Sequence, residues 1–366
     1  MIKNSSFSLK GMLFSAIATF ADNCLFTRVL NRKASRGPLF ITWLPTYACN
    51  ARCSFCSTHE LAKANRHTLT QEEIQHIAHE IGKSNAVATG FTGGEVLLWP
   101  HLFDAIKTIK SYGKNVYIVS NGFTLGSKVD QLLEAGIDTV VVSVDSLKPG
   151  EHDQMRGLNG LMEKLRFAIS LLKEKRGDSN KPLIKTTTVV SKKNIRDIGN
   201  IVTELRKIVD VVSIQPISTG YANGPHDMDE QAESEFMFRL KDEVEVRELW
   251  GRFLKNYPDF NTHYFRLFPD YWFKPQSLHT VPCWSPSVRL QISPNGEIIH
   301  CASNPKYGPV GNLKFTTLQE VWNSPEMRRQ REEIRKVENH CVCWCQDVSF
   351  NAFLDSVPFV NRHPTF

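Results

Sequence analysis

The sequence predicts an α/β protein, a partial (β/α)6 TIM-like barrel followed by a small C-terminal β-hairpin/helix domain. Three observations predict it. Apolar, strand-like runs alternate with amphipathic helical stretches six times between residues 39 and 225. Most of those runs are continuous rather than alternating, the pattern of a parallel sheet covered on both faces. The nine cysteines are grouped, three at 49–56 and five between 283 and 345, with Cys24 apart. Six strand-helix units in series imply right-handed crossovers and a barrel or part of one, where chemistry gathers at the C-terminal ends of the strands.

Residues 1–38 form a basic, apolar arm. Its Met12–Ala21 run, after Lys3 and Lys10, looks like a short signal-peptide core but is too short to span a bilayer. A helix docked on the domain is expected. The alternative is peripheral membrane contact through Lys3, Lys10, Arg28, Arg32, Lys33 and Arg36. Grouped cysteines favour metal ligation in a reducing compartment, so the expected location is cytoplasmic. At 366 residues and 41% hydrophobic content the chain can bury a large core, and a net charge of +6 makes no case for nucleic acid.

The barrel, 39–225, takes its strands from 39–45, 86–92, 115–120, 139–145, 184–190 and 211–216. Thr70 and Glu73 form a capping box, and Ile74, Ile77, Ala78 and Ile81 then give the stripe of a core-facing helix. Further stripes are Val129, Leu132, Leu133; Leu161, Leu165, Ala168, Ile169, Leu172; and Ile195, Ile198, Val202, Leu205. Residues 226–282 read as a helical connector packed beside the open barrel, its many aromatics being packing residues. Residues 283–348 hold a hairpin, Val288–Ile292 and Glu297–Cys301 around Pro294-Asn295-Gly296, then one helix over 317–337, then Cys341, Cys343 and Cys345. A tail, 349–366, completes the chain.

Cys49, Cys53 and Cys56 form a C-x3-C-x2-C cluster directly after the first strand. Three thiolates are one short of the four that close a zinc site or a cubane, and an open iron can bind a ligand. The spacing, with Phe55 before the third cysteine, resembles the signature of radical S-adenosylmethionine (SAM) enzymes, and the alternative is a zinc knuckle. Thr92-Gly93-Gly94-Glu95 at the end of the second strand resembles that family's Gly-Gly-Glu motif. The resemblance implies that the three cysteines hold a 4Fe-4S cluster whose open iron chelates SAM. It implies that Phe55 lies beside the adenine and that Gly93, Gly94 and Glu95 receive the amino group. Ser120, Asn121 and Ser143 resemble positions that contact SAM, with Gln215 a weaker candidate. Asn121-Gly122 is equally a turn signal, and Asp145 and Arg156 are equally structural. His59, His152 and Cys24 are read as structural.

The C-terminal part resembles the cluster-binding SPASM or twitch extension of the same family, although the full SPASM pattern carries more cysteines, for two clusters. The simplest assignment is one auxiliary 4Fe-4S cluster on Cys283, Cys301 and two of Cys341, Cys343 and Cys345, a zinc ribbon being the alternative. The implied activity is reductive cleavage of SAM to a 5'-deoxyadenosyl radical that abstracts hydrogen from an unactivated C-H bond. An auxiliary cluster points to an oxidative outcome, dehydrogenation or cross-linking, of a small-molecule, carbohydrate-like, lipid-linked or peptide substrate. An electron donor such as flavodoxin or ferredoxin is implied as a partner. The other functional class is a non-catalytic iron-sulfur or zinc protein that binds a partner.

Overall fold

The computed structural model describes residues 36–64, 69–217, 230–274, 283, 285–300 and 307–334. The six strands expected for the barrel are present: β1 (Phe40–Thr46), β2 (Ala88–Gly93), β3 (Asn115–Ser120), β4 (Thr139–Ser143), β5 (Leu183–Val190) and β6 (Val211–Pro216). Each pairs in parallel with the next in sequence. Between them run helices α1 (Thr58–Ala64), α2 (Gln71–Lys83), α3 (Leu102–Ser111), α4 (Val129–Glu134), α5 (Pro149–Arg156), α6 (Leu161–Arg176) and α7 (Ile198–Ile208). The capping box at Thr70 and Glu73 is formed in both directions. The stripes of α2 and α6 enter one core with Ile41, Trp43, Phe91, Ile118 and Val140 of the strands.

The connector is helical where described: α8 (Glu230–Phe236), α9 (Glu243–Asn256), α10 (His263–Arg266) and α11 (Phe268–Phe273). Its aromatics build a second core against Ile195, Ile198 and Val202 of the α7 segment and Ile214 of β6. Trp250 lies at its centre, stacked on Phe253 and Phe268, with its indole N–H donated to the Phe265 carbonyl at 2.7 Å.

The C-terminal segment forms the expected hairpin and joins it to the barrel sheet. After α12 (Ser285–Val288), strand β7 (Arg289–Ile292) pairs in parallel with β1, and β8 (Glu297–Ile299) and β9 (Gly311–Asn312) follow antiparallel. The described strands thus form one nine-stranded sheet in the order β6-β5-β4-β3-β2-β1-β7-β8-β9. The reason lies in β1, which as the first strand of an open barrel leaves a row of backbone groups unpaired. β7 pairs them and places Leu290 and Ile292 in the same core as Ile41 and Trp43. The Leu318 N–H donates to Glu80 of α2 at 3.1 Å, and Lys314 pairs with Glu73 at 3.0 Å.

The single helix expected over 317–337 is two helices where described, α13 (Leu318–Trp322) and α14 (Pro325–Ile334). Pro325 cannot donate to the preceding turn, so it starts a helix rather than continuing one. The arm up to residue 35 and the tail lie outside the described residues, and with them Cys24. Among the described residues no helix is long and apolar enough to cross a membrane.

Replacing Trp250 by Ala leaves a large void in the second core and is expected to cost about 3–5 kcal/mol. Val244→Ser, on the exposed side of α9, is expected to stay within about 0.5 kcal/mol of the parent. Chemical denaturation measures both, and equal losses would refute the packing role of the connector.

Candidate metal centre

The cysteine loop follows β1 at the C-terminal end of the barrel strands and has little regular structure of its own. Its shape comes from neighbours. The Arg52 N–H donates to the Arg156 carbonyl at 3.0 Å and the Ser54 N–H to that of Met155 at 3.4 Å, so the loop is laid along the last turn of α5. Gly157, in the left-handed region at φ 57°, closes that helix, and a Cβ there would overlap the Arg52 carbonyl. Glycine is required twice over at this position.

Cys49, Cys53 and Cys56 are half-buried and carry free thiols. Burial raises the Cys53 thiol to about 11, against the lowering pull of the Arg156 charge. Burial likewise raises Cys49. A thiol held up by desolvation becomes a thiolate only when a cation or metal compensates the charge. Cys56 Sγ lies 2.9 Å from the Thr58 hydroxyl, and the Asn121 amide donates to Cys49 Sγ at 4.0 Å and to Asn50 Oδ1 at 2.8 Å. Thr58 and Asn50 were not singled out from sequence. Their only signal in the sequence is a polar side chain within two residues of a cysteine, which is common in any loop.

The strand end of β2 reaches the loop through its main chain. Gly94 N–H donates to Thr46 O at 2.8 Å and Glu95 N–H to Ala48 O at 2.9 Å, and a Cβ on Gly94 would overlap that Ala48 oxygen. Gly93 takes φ 119°. The Glu95 side chain, expected to receive a ligand's ammonium, is held in place by the protein's own donors. It is 1% exposed, and its carboxylate accepts from the Ser120 hydroxyl at 2.8 Å, the Asn121 N–H at 2.7 Å and the Leu97 N–H at 3.1 Å. The tight turn after Gly94 folds it back under the loop, where it ties the ends of β2 and β3 together. Burial raises its carboxyl above the usual range, these bonds opposing the shift.

Ser120 and Asn121 are therefore positioned by Glu95, and Asn121 is brought to the cysteines. Ser143 ends β4, half-exposed, in register with Thr187 of β5, whose hydroxyl lies 2.9 Å from that of Ser213 on β6. Gln215 is half-exposed near the end of β6. Phe55 is clamped, with the Arg156 guanidinium 5.2 Å from its ring centroid and Phe236 edge-on at 5.4 Å.

Asp145 and Arg156, left open between structural and functional readings, form a buried ion pair at 2.5 Å. The Val189 N–H donates to the carboxylate at 2.9 Å, and the Asp145 N–H donates to His152 Nδ1 at 3.2 Å. His152 is buried, and desolvation lowers it to about 4. In the C-terminal group, Cys283 is a half-buried thiol just before α12. Cys301, Cys341, Cys343 and Cys345 lie outside the described residues.

An open parallel barrel with a three-thiol loop at the end of its first strand and a glycine-lined strand end beside it defines the radical SAM class. The chain belongs to that family: residues 43–205 match the Radical SAM superfamily model, and residues 283–347 match that of the iron-sulfur cluster-binding SPASM domain. These domains imply 4Fe-4S clusters and SAM as cofactors. The chain is 24% identical over 324 residues to the AdoMet-dependent heme synthase of Methanosarcina barkeri, covering 84% of this chain and 89% of that protein. It is 21% identical over 310 residues to the subtilosin biosynthesis protein AlbA of Bacillus subtilis, covering 83% of this chain and 64% of AlbA. Among solved structures, Streptococcus suis SuiB bound to S-adenosylmethionine shares the fold at TM-score 0.60 and 16% identity, over 81% of this chain and 68% of SuiB.

His152 gives a pH signature. A buried histidine whose folded pKa is lowered adds stability that is fully present above its unfolded value, about 6.5, and is lost as pH falls through about 4. The parent is expected to lose up to about 3 kcal/mol more than His152→Asn across that window, from 1.36 kcal/mol per pKa unit. Denaturation curves at stepped pH measure this, and parallel losses in the two proteins would show that His152 titrates normally.

Proposed function

We propose that the protein is a radical SAM enzyme that carries out an oxidative modification, dehydrogenation or cross-link formation. Cys49, Cys53 and Cys56 would hold the 4Fe-4S cluster that binds SAM. The observation that carries this is the loop itself, three thiols in eight residues held in shape by main-chain bonds from α5 and β2. Soft thiolates fit an iron-sulfur cluster, and three of them leave one iron open. Among the described residues no three His, Cys, Asp or Glu side chains close on a single metal ion. A cluster whose thiolates bind separate irons makes no such demand.

When bound, the cluster and SAM supply a one-electron cleavage that yields a hydrogen-abstracting radical. The chain's own residues do the rest. Gly93 and Gly94 keep the strand end bare of side chains, so that a ligand's ammonium can approach main-chain carbonyls and the Glu95 carboxylate there, the latter oriented by Ser120 and the Asn121 N–H. Asn121 presents its amide beside Cys49. Ser120, through Glu95, braces that strand end, and Ser143 offers a hydroxyl at the end of β4. Phe55 gives an apolar wall, held by Arg156 and Phe236.

Cys283, Cys301 and two of Cys341, Cys343 and Cys345 would hold one auxiliary 4Fe-4S cluster. A second electron carrier suits a reaction in which the substrate radical loses an electron, which is why an oxidative outcome is proposed. The relatives named above make heme in one case and take part in bacteriocin biosynthesis in another, so the substrate class proposed is a small molecule or a peptide. An electron donor such as flavodoxin or ferredoxin completes the cycle.

The test is iron and sulfide content after anaerobic reconstitution, with SAM cleavage to 5'-deoxyadenosine followed in parallel. The parent is expected to hold about eight irons, and the triple variant of Cys49, Cys53 and Cys56 to Ala about four, with cleavage abolished. Four irons falling to none, with zinc bound, would make the C-terminal group structural and remove the oxidative argument. No cleavage by the reduced parent would remove the enzyme reading.

A further inference from the structure

Arg156 contributes far more to the cysteine loop than an ordinary helix residue. Its guanidinium lies in the interior, on the last turn of α5, and touches three groups at once. Nε donates to Asp145 Oδ2 at 2.7 Å, Nη1 donates to Cys53 Sγ at 3.9 Å, and the plane lies against Phe55. The carboxylate is equally fixed, by the Val189 N–H, and the Asp145 carbonyl accepts from Asn194 Nδ2 at 2.9 Å. A buried ion pair contributes little to stability compared with a packed apolar pair, so its presence beside a ligand sulfur asks for another account.

We propose that Arg156 is a positioning residue that sets the electron affinity of the cluster through Cys53, and that Asp145 sets how much of the Arg156 charge the sulfur feels. This rests on Cys53 binding the cluster, as proposed above. Reduction adds one negative charge to a cluster, and a fixed cation that donates a hydrogen bond to a ligand sulfur stabilises the reduced form more than the oxidised one. The charge lies inside the protein, where screening by water and salt is weak. Asp145 at 2.5 Å cancels part of it. The pair therefore has opposite arms: loss of the cation lowers the potential, and loss of the anion raises it.

The experiment uses the full-length, anaerobically reconstituted protein as parent, Arg156→Gln, Arg156→Lys, Asp145→Asn and the double variant Asp145→Asn/Arg156→Gln. The reduced fraction of the cluster is read by electron paramagnetic resonance against redox dyes at fixed pH. The SAM-induced change in the spectrum identifies which cluster is followed. Arg156→Gln is expected to lower the reduced-to-oxidised ratio at least tenfold at a given dye potential, a shift of 59 mV for one electron. Asp145→Asn is expected to raise it, Arg156→Lys to lie close to the parent, and the double variant to lie between the two single variants. If Arg156→Gln does not assemble, Asp145→Asn and the double variant still decide the sign. Potentials that do not move, or that move the same way in Arg156→Gln and Asp145→Asn while iron content is kept, would overturn the inference. If the triple cysteine variant kept all its iron, the cluster assignment itself would fail instead, which is a separate outcome.

Discussion

The cysteine loop has almost no hydrogen-bonded structure of its own, so its shape is borrowed from the end of α5. Two main-chain bonds, to the carbonyls of Met155 and Arg156, hold the stretch that carries Cys53, and Gly157 lets helix and loop touch where any side chain would separate them. The turn is in turn fixed by the Asp145–Arg156 pair, because Asp145 is anchored to β5 and Arg156 belongs to the helix. One buried ion pair thus couples the ends of β4 and β5 to the geometry of three thiols. Removing one partner would leave an uncompensated charge in the interior, whereas the intact pair gives the loop a single arrangement.

A second coupling runs through Glu95. Its carboxylate faces inward and joins the ends of β2 and β3, so Asn121 reaches Cys49 as a consequence of how Glu95 is satisfied. The two couplings approach the loop from opposite sides, α5 through Cys53 and β2–β3 through Cys49. A site framed this way is held by main chain and buried polar contacts rather than by flexible surface side chains, which suits chemistry that must exclude water.

The sheet is arranged to the same end. A six-stranded parallel sheet with the loop on its first strand would leave that strand as an exposed edge. β7 removes the edge by pairing with β1, and the connector helices cover the outer side at β5, β6 and α7. The SPASM segment is therefore built onto the barrel sheet, and β1 is buried between β2 and β7. This puts the strand that leads into the cysteine loop and the described strands of the SPASM segment in one hydrogen-bonded sheet.

What the sequence by itself determined was local. Six apolar runs, the stripes of α2, α6 and α7, the capping box at Thr70 and the thiol spacing are all written within a few residues, because periodicity and caps depend on neighbours one or two turns away. The candidate ligands Cys49, Cys53 and Cys56 and the strand ends at Gly93–Glu95 and Ser120–Asn121 were legible for that reason. Only the tertiary structure decided which partners these groups take. Arg156 meets Cys53 across 103 positions, and Arg289 of β7 meets Thr42 of β1 across 247. The inward turn of Glu95 follows from where β3 ends. None of these leaves a periodic trace, since a buried contact between distant segments is set by chain crossing and packing, and an aspartate, an arginine or a glutamate reads the same in sequence whether it faces water or a ligand.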